Sequence, residues 1–208
     1  MIAIDGDMRL SGTVRGSEQV SAGLGGRPVA RHGWQLRIVP ERRRVASSAC
    51  GDHHTPWTIG DEKQTLIDFL DYLRHAVLRK ADGLTADQLR RPMVPSGTSL
   101  LGLVKHLTRV EIAWFQYAFA GIDVPVPSGE LTDADEPAAV VSGYRQATAV
   151  SNDILAGCDD LTKRCQRVAV APEGMPLRWV LVHMIEETGR HAGHADILRE
   201  QLDGAVGR

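Results

Sequence analysis

The sequence predicts an all-α protein: a four-helix bundle with long connections, preceded by a poorly structured N-terminal extension. Three observations carry this. Residues 61–81, 99–120, 136–156 and 176–204 repeat apolar side chains at helical spacing. Two connections, 123–135 and 159–174, are long enough to cross an end of a bundle. The first 57 residues show no helical period and too few large apolar side chains to build a core of their own.

The extension, residues 1–57, is rich in Gly, Arg, Val and Ser. A short strand is expected near 35–39, and Glu41-Arg42-Arg43-Arg44 is a basic cluster. His53-His54 reads as a solvated surface pair. The working domain is expected to span residues 58–208.

In the first helical segment Leu66, Phe69, Leu70, Leu73 and Val77 keep the period. Gly60 or Asp61 can cap its start, and Gly83 suits its stop. Thr85-Ala86-Asp87-Gln88 is a capping-box pattern for a short turn of helix ending before Pro92. Ser96-Gly97-Thr98 supplies capping chemistry before the second segment, whose stripe is Leu100, Leu103, Leu107, Val110, Trp114 and Tyr117. Gly121 stops it. The third segment tolerates Pro137 in its first turn and ends at Gly157, with Val140, Val141, Tyr144, Ala147, Ile154 and Leu155 as its apolar face. Val168-Ala169-Val170, in the second connection, is expected to be extended. The fourth segment begins near Pro176 and ends at Gly204.

Composition excludes several functions. A formal net charge of −2 and a pI near 6.4 give no reason to expect nucleic acid or an anionic membrane as partner. No apolar run approaches the roughly 20 residues of a membrane span. The N-terminus lacks the basic-then-apolar order of a signal peptide, so a cytoplasmic protein is expected. Cys50, Cys158 and Cys165 form no CxxC pair and read as reduced thiols.

The last segment carries the chemistry. At about 100° per residue, His183, Glu187, His191 and His194 fall within a wedge of roughly 80°. That wedge runs into the apolar stripe of Val180, Met184, Ala195, Leu198 and Leu202. Burying the stripe carries three imidazoles and a carboxylate inward, and an unpaired buried carboxylate is expensive. A divalent cation is the simplest compensation. Glu187 and His191, four apart, sit one turn above each other. His106, at the edge of the second segment's stripe, supplies a third ligand. Such a His-Glu-His set with open positions suits Zn²⁺, Ni²⁺, Fe²⁺ or Mn²⁺. Satisfied polar groups on a partly solvated helix are the alternative that spacing leaves open.

Residues 95–107, PSGTSLLGLVKHL, and 178–196, RWVLVHMIEETGRHAGHAD, closely resemble the mini-circle-protein branch of the DinB-like superfamily over about residues 62–204. The resemblance implies a four-helix bundle holding a divalent metal with one residue of the second helix and two of the last. The second-helix histidine falls on His106. The usual pair of last-helix histidines falls on Glu187 and His191, a set similar to that of the mycothiol-dependent maleylpyruvate isomerase branch. The carboxylate makes the site harder and more negative. The resemblance further implies a thiol S-transferase acting on small electrophiles, with mycothiol, bacillithiol or glutathione as cosubstrate. Metal-bound water as nucleophile would instead make a hydrolase. A closed shell completed by His183 or His194 would make a stress-associated bundle with a structural metal.

His194 is the expected acid or base at the substrate mouth, with a hydrogen-bond role behind the ligands as its alternative. Arg178 and Arg190 can bind a substrate carboxylate or pair with acids. Trp114, Tyr117 and Trp179 read as bundle core before pocket lining. Asp196 either orients a ligand or pairs with an arginine such as Arg199. A homodimer with the site near its interface is compatible with the sequence.

Overall fold

The computed structural model describes residues 55–56, 60–167 and 174–206. The expected extension, the strand near 35–39, His53-His54, Cys50 and the extended Val168-Ala169-Val170 lie outside the described residues.

The described chain is helical. Its elements are α1 (Glu62–Ala81), α2 (Ala86–Arg90), α3 (Leu100–Glu111), a π-helical continuation of α3 (Ile112–Phe119), α4 (Pro137–Ala156) and α5 (Leu177–Asp203). Local chemistry sets the ends. Asp61 accepts a hydrogen bond from the Gln64 N–H and caps α1. Thr85 and Gln88 close the reciprocal capping box of α2. Ser99 caps α3 through the Gly102 N–H at 3.2 Å. Pro137 opens α4, where its missing N–H is no loss. Gly204 ends α5 with φ +74°.

Helix α1 packs along α5 and α3 along α4, while α3 also meets α5. One core cluster gathers Val77, Leu103, Leu107, Tyr144 and Ala195. The other gathers Leu70, Val110, Phe115, Phe119, Leu155 and Leu181. No helix among the described residues is long and apolar enough to cross a membrane.

Two faces differ from expectation. On α1, Phe69 is exposed, and the buried face runs through Leu70, Arg74, Val77, Leu78 and Ala81. Arg74 belongs inside because Glu111, also fully buried, meets it with two hydrogen bonds, Nε to Oε1 at 2.8 Å and Nη2 to Oε2 at 2.6 Å. Asp71 and Asn152 take its remaining nitrogen, Nη1, at 2.8 and 2.7 Å. In the second segment, Phe115 and Phe119 are buried, whereas Trp114 and Tyr117 are only partly so. The cause is the winding: after Glu111 the backbone closes its bonds over five residues, as from the Ala120 N–H to the Phe115 carbonyl at 2.9 Å. The wider turn passes the inward face from 114 and 117 to 115 and 119.

Candidate metal centre

The site forms where α3 meets α5. Leu103, Leu107 and Val110 bury one side of α3, so His106 comes to the margin of that contact. On α5, Val180, Leu181, Met184, Thr188, Ala192 and Ala195 are buried, and their packing carries Glu187 and His191 inward. His106 Nε2 lies 3.0 Å and His191 Nε2 3.1 Å from the same oxygen, Glu187 Oε1. One ligand atom from each of the three lies within 4.8 Å of the others. Glu187 and His191 are buried, with side chains 5% and 9% exposed, while that of His106 is 23% exposed. Access to the cluster is therefore from the His106 side.

The electrostatics suit a cation. Hydrogen bonds from His106 and then His191 hold the Glu187 carboxyl well below its usual range, against the opposing effect of burial. Glu187 is thus an anion sunk between two imidazoles. Both imidazoles present Nε2 to it, so each offers a lone pair to a metal in the neutral form. A hard oxygen with two borderline nitrogens is a donor set for the first-row divalent ions. Among the described residues, buried His191 Nδ1 has no hydrogen-bond partner. Ligand histidines usually gain orientation from such a partner; here packing must supply it. The connection before α4 passes close to the other histidine without closing it off: a Cβ on Gly129 would lie 3.5 Å from His106 Nδ1 and 3.2 Å from Arg109 Cδ.

The other sequence candidates separate clearly. His194 is partly buried, with its ring 5.5 Å from that of His191. His183 instead packs against two indoles that also touch each other at 5.3 Å: it is stacked on Trp179 at 5.1 Å and edge-on to Trp114 at 4.8 Å. Burial lowers its pKa. The three-residue cluster includes neither His183 nor His194. Trp179 is 39% exposed, so neither indole is core, contrary to expectation. Trp114 stands at the surface margin because the π winding gives the interior to Phe115 and Phe119.

Arg178 is engaged by Glu62 at 2.5 Å, which fixes the start of α5 to that of α1. Arg190 pairs with Glu186 and reaches to 4.0 Å from Glu187 Oε2. Asp196 pairs with Lys80 at 2.7 Å and not with Arg199, which bonds Asp203 and the carbonyls of Lys80 and Asp82. Arg199 is thus held along α5 and at the end of α1. Cys158 and Cys165 are free thiols, the first buried.

A DinB-like protein from Bacillus cereus ATCC 10987 shares the fold: its crystal structure aligns with a TM-score of 0.51 at 19% identity, over 70% of this chain and 95% of that one. No curated protein matches the sequence. The family model for mycothiol-S-transferase matches residues 65–204, which contain most of α1, all of α2 to α5 and all three residues of the cluster. The chain therefore belongs to the mycothiol-S-transferase family, within the DinB-like superfamily.

Proposed function

We propose that this chain is a divalent-metal-dependent S-transferase that joins a low-molecular-weight thiol of the mycothiol type to small electrophiles. The observation that carries the reading is the convergence of His106, Glu187 and His191, with two buried members and the third partly exposed. We assign the activity to residues 58–208, and a reducing, cytoplasmic setting suits both the thiol cosubstrate and the free Cys158 and Cys165.

His106, Glu187 and His191 would hold the metal. When bound, it would supply a Lewis acid that brings a thiol's pKa toward neutrality. The chain's own residues do the rest. Glu187 stays ionised at neutral pH. The buried faces of α3 and α5 keep bulk water from one side of the site. We assign to His194 the role of taking the thiol proton and returning it; its ring contact with that of His191 at 5.5 Å supports this. In the overall reaction the sulfur forms a bond to an electrophilic carbon. The thiol proton leaves to His194 or solvent. A leaving group departs with its electron pair, or in an addition the neighbouring atom takes up a proton.

The test is metal content and thiol consumption measured together, with mycothiol, bacillithiol and glutathione against a panel of electrophiles. About one metal per chain and thiol-dependent turnover are expected, both lost in His106→Ala. A His106→Ala protein with full metal content and full activity would sink the proposal. Electrophile loss without thiol consumption would mark a hydrolase instead.

A further inference from the structure

The metal-ligand cluster is one end of a longer stripe. Trp179, His183, Glu187 and His191 follow each other at four-residue spacing along α5, so all four sit on one face. The opposite wall comes from α3 and its π-helical continuation. His106 meets Glu187 and His191, and Trp114 meets Trp179 and His183. The two walls thus run antiparallel and stay in contact from the ligand cluster to the indoles.

At 1.5 Å rise per residue, His183 lies about 6 Å and Trp179 about 12 Å along the axis from Glu187. That is the reach of one or two fused rings bonded to a reacting carbon at the cluster. The aromatic end is built from ring faces. Trp179 and His183 lie nearly parallel, 15° apart, while Trp114 is tilted by 50° and 62° to them. Trp179 is 39% exposed and His183 partly so, which leaves ring surface open beside the site. Burial favours the neutral imidazole of His183, which stacks as an arene instead of repelling a cation one turn away.

We infer that Trp114, His183 and Trp179 form a platform that binds the planar, conjugated part of the electrophilic cosubstrate and selects aromatic over saturated electrophiles. Electron-poor rings suit it best, because the indole face is electron-rich. The proposal rests on the S-transferase reading for the ligand's role, but the platform itself is testable without metal or turnover.

The probe is 1,3-dinitrobenzene, planar and electron-poor, titrated by calorimetry into the full-length protein, both zinc-loaded and chelator-treated. Saturable binding is expected in both forms. Trp179→Ala and His183→Ala should weaken it about three- to tenfold, in line with the loss of one aromatic contact. Trp179→Phe, which keeps a ring, should restore most of the affinity. Nitrocyclohexane should bind markedly more weakly than the arene. Glu187→Gln should leave arene binding intact, so a failed S-transferase assay beside intact binding separates the two proposals. The inference is overturned by absent saturable binding, by affinities insensitive to Trp179→Ala, by equal binding of nitrocyclohexane, or by loss of arene binding in Glu187→Gln.

Discussion

Removing Glu111 should destabilise this protein more than removing any surface acid, and the structure gives the size. Glu111 is fully buried and Arg74 is 2% exposed. Burial alone would depress the guanidinium pKa, but the charge and hydrogen bonds of Glu111 reverse the direction. Breaking such a pair by deleting one partner leaves an uncompensated buried charge and costs about 3–5 kcal/mol. Here Arg74 keeps Asp71, itself about a third exposed, and Asn152. Glu111→Leu should therefore fall near the lower end, about 3 kcal/mol, or roughly 6–12 °C in Tm for a chain of this length. Replacing both charges, Arg74→Met with Glu111→Leu, removes the orphan and should return stability to within about 1.5 kcal/mol of wild type. Urea unfolding followed by circular dichroism at 222 nm reads all four corners of this cycle. A Glu111→Leu protein within about 1 kcal/mol of wild type would refute the reasoning, as would a double variant as unstable as the sum of the single changes.

Three further outcomes follow from the same structure. Zn²⁺ at 100 times its Kd should stabilise the wild type by about 2.7 kcal/mol, roughly 5–11 °C, and differential scanning fluorimetry should show this shift lost in Glu187→Gln at the same metal concentration. Phe115→Ala should cost about 3–5 kcal/mol and Trp114→Ala under about 2 kcal/mol in urea melts; the reverse order would mean that the π winding is wrong. Asp135 is held at a pKa of about 2, first by the Lys105 ammonium and then by the Thr132 N–H and hydroxyl. Its folded pKa is depressed, so its contribution is present above the usual value of 3.8 and fades as pH falls from there toward about 2. Asp135→Asn should reproduce that loss at neutral pH as faster proteolysis within 122–135.

What the sequence disclosed depended on range. The caps at Asp61 and Thr85 and the first-turn Pro137 act over three or four residues and were legible directly, whereas the capping expected from Ser96-Gly97-Thr98 falls to Ser99, one residue later. The wedge of His183, Glu187 and His191 was legible as well, because it needs only helical spacing. The Arg74–Glu111 pair was not. Its partners stand 37 residues apart, and a lone Arg on a helix wheel reads as an edge position. The π winding was hidden for a different reason. Ile112–Phe119 is apolar almost all round, so no polar face fixes its rotation, and packing decides between Trp114 and Phe115. The same ambiguity made core the preferred reading of Trp114 over pocket lining, and so obscured its contact with His183 and Trp179.

The two buried carboxylates then make an instructive contrast. Glu111 faces a guanidinium, which is charged at every accessible pH, and needs nothing from outside the chain. Glu187 faces two imidazoles, at 3.0 and 3.1 Å, and an exposed Arg190 that is 4.0 Å away and engaged by Glu186. A structural ion pair would be built like the first. The second leaves an ionised, nearly water-free carboxylate flanked by two nitrogen donors, its charged neighbour Arg190 exposed, 4.0 Å away and shared with Glu186. Burying such an anion is costly unless a cation completes the group. The same chain shows at Glu111 how it neutralises a carboxylate when it does so alone. The different solution at Glu187 is the physical ground for proposing a metal there.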